Sequence, residues 1–234
     1  MKLLTVNSNA KTIKGNAMGY LTGILYLAPA RQATGPNGPS LCPHASPGCL
    51  AACLYTAGRA GIFKAINESR IRKTQLLLAD KPAFIAQLEK DIHELIRKAK
   101  REGLTPCVRL NGTSDLRVED WGLMERFPEI QFYDYTKNPV RATRYANGGM
   151  PANYHLTFSL SETNQQEALS LLSIGVNVAA VFHKALPAVA LGSQVIDGDL
   201  SDLRFLDPKG PRGVIVGLKA KGKAKKDVTG FSIA

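Results

Sequence analysis

The sequence predicts an α/β fold, a complete or partial (β/α) TIM-like barrel of parallel strands in a single domain. Short apolar runs typical of buried strands alternate with helical stretches along most of the chain. Strands and helices that alternate are joined by right-handed crossovers, which make the strands parallel. A chain of 234 residues is long enough for one large domain. We therefore assign residues 1–234 to one barrel domain, with an N-terminal edge segment at 1–16 and a basic C-terminal tail at 219–234.

The first half of the chain has the clearest element boundaries. Residues 18–28 are rich in aliphatic and aromatic side chains, which predicts the first buried strand. Residues 63–78 contain neither Gly nor Pro and predict a helix. A second helix is expected to begin at Asp80, because Pro82 suits its first turn, and to end at Gly103. Apolar residues recur within it in three- and four-residue steps from Ile85 to Ala99.

The second half repeats the alternation at shorter intervals. Apolar runs predict the remaining strands, and segments with helical spacing separate most of them. The predicted strands cover residues 106–110, 130–136, 154–160, 176–182 and 213–218, and the predicted helices cover 118–127, a segment beginning at Pro139, and 165–174.

Three of the four cysteines lie in the loop after the first predicted strand. Cys42, Cys49 and Cys53 have the spacing C-x6-C-x3-C, and three thiolates this close in sequence can surround one metal ion or cluster. Three cysteines with one open position suit a [4Fe-4S] cluster. A fourth ligand, either His44 or Cys107, would favour zinc instead. The sequence therefore predicts a metal site, with the cluster and zinc as alternatives.

Polar residues follow the predicted strands at their carboxyl ends. In a barrel these ends meet at one rim, which is where barrel enzymes carry their active sites. We therefore expect one composite site there. Its segments are the cysteine loop, Asn111 to Asp115, Thr136–Lys137, Ser159 to Glu162, and His183–Lys184.

The candidate catalytic residues at this rim include Asp115, Asn111, His183 and Lys184. Asp115 can equally be a helix N-cap, because it precedes a helical segment. The fifth candidate, Asp199, belongs to a group of spaced acids that can hold a hard cation, bind a ribose or form an acid–base pair, or can simply be solvated turn residues. That group consists of Asp197, Asp199, Asp202 and Asp207.

The charge balance points to a polyanionic partner. Lys and Arg number 30 against 19 Asp and Glu, which leaves a formal net charge of +11. Basic surface gains affinity for nucleic acid by releasing counterions from phosphates. The lysine-rich run of residues 219–226 can contact a phosphate backbone or can simply be solvated. We expect a nucleic-acid partner.

No apolar run approaches the ~20 residues that a membrane-spanning helix needs. The beginning of the sequence also lacks the apolar core of a secretory signal. Disulfides would leave one thiol of the cysteine cluster unpaired, and nothing else indicates an oxidising compartment. We therefore expect a soluble protein of the cytoplasm that does not bind a membrane.

Several segments together resemble the phage proteins of the gene product 88 family. The resemblance covers nearly the whole chain and implies a phage context, but it implies no activity. Its segments are Asn9–Lys11, Gly19–Thr22, Leu27–Ala30, Cys42–Pro43, Cys49–Arg59, Val108–Asp115 and Asp197–Asp207.

A three-cysteine loop after the first strand of an α/β barrel is also similar to that of the radical S-adenosylmethionine enzymes. The resemblance implies that Cys42, Cys49 and Cys53 hold a [4Fe-4S] cluster whose open iron binds the methionine part of S-adenosylmethionine. Those enzymes space their cysteines as C-x3-C-x2-C and place an aromatic residue before the third, where this chain has Ala52. The residues that we assign to cofactor binding are Tyr55, Arg59, Ser159 and Glu162.

Two other functions fit the same residues. One is a base-exchange enzyme that resembles the tRNA-guanine transglycosylases, for which Asp115 and one of Asp197, Asp199 or Asp202 supply the carboxylate nucleophile and the second acid or base. The other is a nucleic-acid-binding protein without catalysis, in which zinc on the cysteines is a structural staple.

Overall fold

The protein folds around one large, mostly parallel sheet. The computed structural model describes residues 1–7, 10–53, 55 and 57–233, apart from the side chains of Ala10 and Arg59. Within these residues ten strands are present. They are β1 (Leu4–Val6), β2 (Tyr20–Leu25), β3 (Thr105–Arg109), β4 (Gln131–Thr136), β5 (Tyr154–Ser159), β6 (Val178–Phe182), β7 (Val189–Ala190), β8 (Ser193–Asp197), β9 (Ile215–Lys219) and β10 (Ser232–Ile233).

Helices fill most of the connections between the parallel strands. Eight α-helices lie in the described part of the chain, together with 3₁₀ turns at Val118–Trp121, Arg204–Leu206 and Gly222–Lys226. The α-helices are α1 (Ala10–Ala17), α2 (Pro47–Ala51), α3 (Gly58–Ile62), α4 (Lys64–Ala79), α5 (Lys81–Glu102), α6 (Leu123–Arg126), α7 (Pro139–Ala146) and α8 (Gln165–Ser173).

The strand order confirms the predicted parallel α/β architecture. The neighbours run β1-β2-β3-β4-β5-β6-β9-β8-β7, and all pairs from β2 to β8 are parallel. The two outer pairs, β1 with β2 and β7 with β8, are antiparallel. Over the described residues the pairing is an open path whose ends are β1 and β7, and it does not close into a ring. The carboxyl ends of β2 to β6 therefore lie along one edge, which we call the rim.

Helix α5 packs one face of the sheet because its sequence places an apolar stripe there. Phe84, Leu88 and Ile92 are fully buried in the same core as Val108 of β3 and Phe132 of β4. The predicted ends of this helix are confirmed. The Asp80 carboxylate accepts the N–H of Ala83 at 2.9 Å, and Gly103 ends the helix with φ +66°.

The opposite face of the sheet is covered by residues 198–207. Leu203 packs there on Cys107 and Tyr133. Asp202 forms an ion pair with Arg109 of β3 at 3.1 Å. Most of the spaced acids of the sequence thus lie in or next to the segment that closes this face.

Two terminal segments contain elements that the sequence analysis did not anticipate. Helix α1 lies in the predicted edge segment, after β1. The predicted basic tail begins at the end of β9, continues as the 3₁₀ turn Gly222–Lys226, and ends in β10. Strand β10 pairs with Val181 and Phe182 of β6, beyond the residues that β6 pairs with β5. The segment is therefore part of the sheet.

Candidate functional site

The cysteine loop, residues 42–53, lies at the rim after β2. Its second half is ordered by helix α2, which begins with Ser46 as N-cap and Pro47 in the first turn. The Ser46 hydroxyl accepts the N–H of Cys49 at 3.2 Å. Local capping therefore fixes Cys49 near the start of the helix, and Cys53 follows its end.

The first cysteine attaches the loop to neighbouring segments. The Cys42 thiol accepts the N–H of Ala30 at 3.4 Å and lies 3.6 Å from the carbonyl oxygen of Thr113. Next to it, the N–H of Asp115 donates to the carbonyl oxygen of Leu41 at 2.8 Å. The loop after β2 is thereby joined to the loop after β3.

The three thiols interact electrostatically. Burial raises the pKa of Cys42 to about 12, with smaller contributions from the nearby Cys53, Cys49 and Asp115, although the hydrogen bond from the N–H of Ala30 opposes the rise. Burial and Cys49 also raise the pKa of Cys53. Cys49 and Cys53 therefore make ionisation of Cys42 less favourable, and at neutral pH Cys42 and Cys53 are protonated in the absence of a bound cation.

Positively charged side chains lie near Cys53. Arg70 and Lys137 oppose the rise in the pKa of Cys53, as does a backbone hydrogen bond from Tyr55. The Lys137 ammonium lies 2.6 Å from the Ser159 hydroxyl and 5.4 Å from the centre of the Phe231 ring. The rim thus combines ionisable thiols with fixed positive charge.

Glu162 holds the cysteine loop against the loop after β5. Its two carboxylate oxygens accept the Ser46 hydroxyl and the N–H of Gly48, each at 2.7 Å. A Cβ at position 48 would lie 2.8 Å from this carboxylate, so the close approach requires glycine. Ser159 and Glu162, both predicted to bind a cofactor, lie at the rim and contact its polar groups.

Asp115 lies beside Cys42 and anchors the loop after β3. One carboxylate oxygen accepts the Thr136 hydroxyl and an Arg141 N–H, and the other accepts the N–H of Lys137 at 2.8 Å. The N-cap of the following 3₁₀ turn is Arg117. Asp115 therefore joins two strand ends and does not cap that turn.

A buried set of hydrogen-bonded side chains supports Asp115, and we call it the Arg141 network. Arg141 donates to both oxygens of Glu119, at 2.9 and 2.7 Å, and to the Tyr154 hydroxyl at 3.0 Å. The Tyr154 hydroxyl in turn donates to Asp134 at 3.1 Å. The network comprises Asn111, Asp115, Glu119, Asp134, Arg141 and Tyr154.

Asn111 belongs to the interior of this network. It is buried, and its N–H donates to Asp134 at 2.7 Å. Its side-chain oxygen accepts the Ser114 hydroxyl and the N–H of Leu116, both at 2.9 Å. The side chain shapes the loop after β3.

The remaining predicted residues are placed differently. His183 and Lys184 follow β6 and are exposed. Asp199 forms ion pairs with Lys11 at 2.9 Å and Lys221 at 2.7 Å, and hydrogen bonds to these lysines and to the N–H of Lys219 hold its pKa well below the usual range. Asp199 therefore joins α1 to the end of β9. The side chain of Arg59 lies outside the described residues.

The two candidates for a fourth metal ligand lie in different surroundings. His44 is exposed. Cys107 is buried on the sheet, where its thiol lies 3.3 Å from the Thr22 hydroxyl. In the described part of the chain, no three His, Cys, Asp or Glu side chains form a group that could hold a metal ion as they stand.

No pattern in the sequence indicated Arg141, Glu119 or Asp134. Their partners come from different elements, and Arg141 lies 22 residues from Glu119 and 26 from Asp115. Lys137 was placed at the rim but was not proposed as a site residue. Its position after β4 was the available signal.

Comparison with known proteins places the chain in a family. The family model described as gene product 88 matches residues 2–233. The chain belongs to the gene product 88 family. The resemblance to these phage proteins is thereby confirmed across the chain, whereas no match supports the similarity to radical S-adenosylmethionine enzymes. No curated protein and no solved structure matches the chain significantly. Among the described residues of this family member, no helix is long and apolar enough to cross a membrane.

Proposed function

We propose that this gene product 88 protein is an enzyme that holds a metal centre, an iron–sulfur cluster first of all, on Cys42, Cys49 and Cys53. We propose further that it acts on a nucleic acid or nucleotide at the rim of a partial barrel. One observation carries the proposal. Three cysteines lie in the loop after the first parallel strand, beside the polar ends of its neighbours, and nearby thiols help to raise the pKa of Cys42 and Cys53.

The chemistry of the donor set fits a metal. Ionised thiols near one another repel, and burial adds to the cost of ionisation, as the raised pKa values of Cys42 and Cys53 indicate. A bound cation removes both penalties, because a coordinated thiol is deprotonated outright. Since the thiols do not form a ready metal group, binding requires their side chains to turn toward a common centre.

The surrounding residues have separate tasks in this proposal. Glu162 and Ser46 position α2, and with it Cys49. Lys137 and Arg70 attract an anionic substrate and lower the cost of thiolate formation. A cluster with three cysteine ligands supplies one iron with an open position, where the resemblance to radical S-adenosylmethionine enzymes places S-adenosylmethionine.

Anaerobic purification tests the proposal. We expect the protein to contain iron and acid-labile sulfide and to show the broad visible absorption of an iron–sulfur cluster. Cys49→Ala should remove both. Cys107→Ala is the matched control, because that thiol is packed against Thr22 and should not affect the metal. Protein with neither iron nor sulfide after cluster reconstitution would contradict the proposed cluster.

A zinc staple is the second candidate, and the packing of the cysteine loop favours it. The loop touches three separate parts of the chain: Thr113 after β3, Glu162 after β5, and the Ala220–Ala224 region through Ala52. A metal in such a position stabilises the fold itself. One equivalent of zinc, no iron, and a melting temperature that falls on chelation would identify the staple.

A further inference from the structure

We propose that Lys223, Lys225 and Lys226 form a surface that binds the phosphate backbone of a nucleic acid and brings it to the cysteine loop. The proposal rests on the proposed function, since it identifies how the substrate of that site is held. We call these three residues the lysine surface.

The segment that carries the lysine surface packs against the cysteine loop. Ala220 and Ala224 form a small apolar cluster with Ala52, the residue before Cys53. At Gly222 a Cβ would lie 2.9 Å from the Cβ of Ala57, so the two segments approach as closely as glycine allows. The lysines therefore emerge from the element that supports the proposed metal site.

The base of this surface is held in place by its own hydrogen bonds. The Ser232 hydroxyl donates to the carbonyl oxygen of Ala224 at 3.1 Å, and the N–H of Ser232 donates to Asp227 at 2.9 Å. Ser232 belongs to β10, which pairs with β6. The backbone that carries the lysines is therefore ordered before any ligand binds, which lowers the entropic cost of binding.

The charges of this surface are available to a ligand. Lys223, Lys225 and Lys226 are exposed, and none of them has a carboxylate within ion-pair distance in the described part of the chain. In contrast, Lys11 and Lys221 share Asp199. The lysine surface is thus an uncompensated group of positive charges.

Positive charge continues from the lysine surface toward the rim at Lys137, which lies beside Phe231. This ring packs on the apolar cluster beneath the lysines, and the Lys137 ammonium lies 5.4 Å from its centre. Lys137 lies at the rim, where its N–H donates to Asp115, the residue beside Cys42, at 2.8 Å. A chain of phosphates fits a path of this kind, because each lysine is a compact charge that can neutralise one phosphate.

The test compares two triple variants of equal charge. One is Lys223→Glu, Lys225→Glu and Lys226→Glu. The control is Arg97→Glu, Lys100→Glu and Arg101→Glu, three exposed positions on α5. Each variant exchanges three positive charges for three negative ones. Affinity is measured by fluorescence anisotropy at several salt concentrations with single-stranded DNA, single-stranded RNA and duplex DNA.

We expect the lysine variant to lose roughly tenfold or more in affinity for at least one of these ligands, and its salt slope to fall by about 2–3, because each lost phosphate contact removes a little under one unit. The control should change affinity by less than about threefold. Equal losses in both variants would overturn the proposal, since net charge alone would then explain binding. Binding to anionic vesicles and to none of the three nucleic acids would also overturn it.

Two further measurements separate this surface from the metal site. If the lysine variant is not folded by circular dichroism, Lys223→Gln, Lys225→Gln and Lys226→Gln replaces it, with the same expected direction. Iron and zinc contents are measured on the same samples. Specific loss of nucleic-acid binding supports the surface whether or not the protein holds metal, whereas absence of metal contradicts only the proposed centre.

Discussion

The cysteine loop and the Arg141 network lie side by side at the rim, but their polar atoms are engaged very differently. Arg141 donates to Glu119, Asp115, Thr136 and Tyr154, and its side chain is only 4 % exposed. In the cysteine loop, the Cys42 thiol makes long contacts, at 3.4 and 3.6 Å, and burial and the nearby Cys53 and Cys49 raise its pKa. The saturated network fixes the strand ends, whereas the thiols retain the capacity to bind a ligand.

We expect the largest effect when the Arg141 network is disrupted. Arg141→Met leaves the buried carboxylate of Glu119 and the partly buried carboxylate of Asp115 without their positive partner. Removing one member of a buried ion pair costs about 3–5 kcal/mol in the free energy of unfolding. Urea denaturation should show this loss. Arg144→Met, on the exposed side of the same helix, should cost less than about 1 kcal/mol.

The network should also give stability a pH dependence through Asp134. Burial raises the pKa of Asp134 to about 7, from 3.8, although Arg109 and the N–H of Asn111 oppose the rise. Between these two values the folded state holds a proton that the unfolded state has released. The free energy of unfolding therefore falls as the pH rises from about 4 to about 7, by at most about 1.4 kcal/mol per pH unit.

Asp134→Asn isolates this contribution. Comparison at each pH is necessary because His155, whose pKa burial lowers to about 3, contributes with the opposite sign below pH 6.5. The difference in unfolding free energy between the variant and the wild-type protein should grow in favour of the variant from pH 4 to pH 7. A constant difference over this range would show that Asp134 is ionised throughout.

A smaller effect on stability is expected where the cysteine loop contacts Glu162, in the loop after β5. Glu162→Ala removes the acceptor of the Ser46 hydroxyl and the Gly48 N–H. We expect a loss of about 1–2 kcal/mol and faster amide hydrogen exchange in α2. Glu162→Gln keeps one acceptor oxygen, so its free energy of unfolding should lie between those of the wild-type protein and Glu162→Ala. Unchanged exchange in α2 would mean that the helix is held by other contacts.

The smallest effect on stability is expected at the thiols themselves. In metal-free protein, Cys49→Ala should change the free energy of unfolding by about 1 kcal/mol or less, because the Cys49 side chain is half-buried and forms no disulfide. Denaturation in the presence of a chelator measures this. A loss above about 2 kcal/mol would indicate that the loop is part of the core.

The same contrast explains what could be read from the sequence. Apolar runs and Gly and Pro positions are local signals, and they were sufficient for the alternation of strands and helices and for the ends of α5. Helix α1 was missed because its sequence, AKTIKGNA, mixes Gly and Asn with few apolar residues. The open path of the sheet depends on how far the strands curve, which no local pattern encodes.

The candidate site also contains residues that local sequence patterns could place and contacts that they could not. The cysteine loop, Asp115, Ser159 and Glu162 could be placed at the rim because each lies at the end of a predicted strand or in the segment that follows one. The hydrogen bonds of the Arg141 network could not be predicted, because most of them join residues 20 or more positions apart. Sequence therefore indicates which residues reach the rim, and only the structure shows which of them are already occupied by partners.

The account depends most on whether the three thiols bind a metal. The direct measurement is the number of metal ions per chain in anaerobically reconstituted protein, for Cys42→Ala, Cys49→Ala and Cys53→Ala beside Cys107→Ala. We expect each of the first three variants to lose the metal of the wild-type protein and Cys107→Ala to retain it. Equal metal content in all four variants, or none in the wild-type protein, would contradict a metal centre on the cysteine loop.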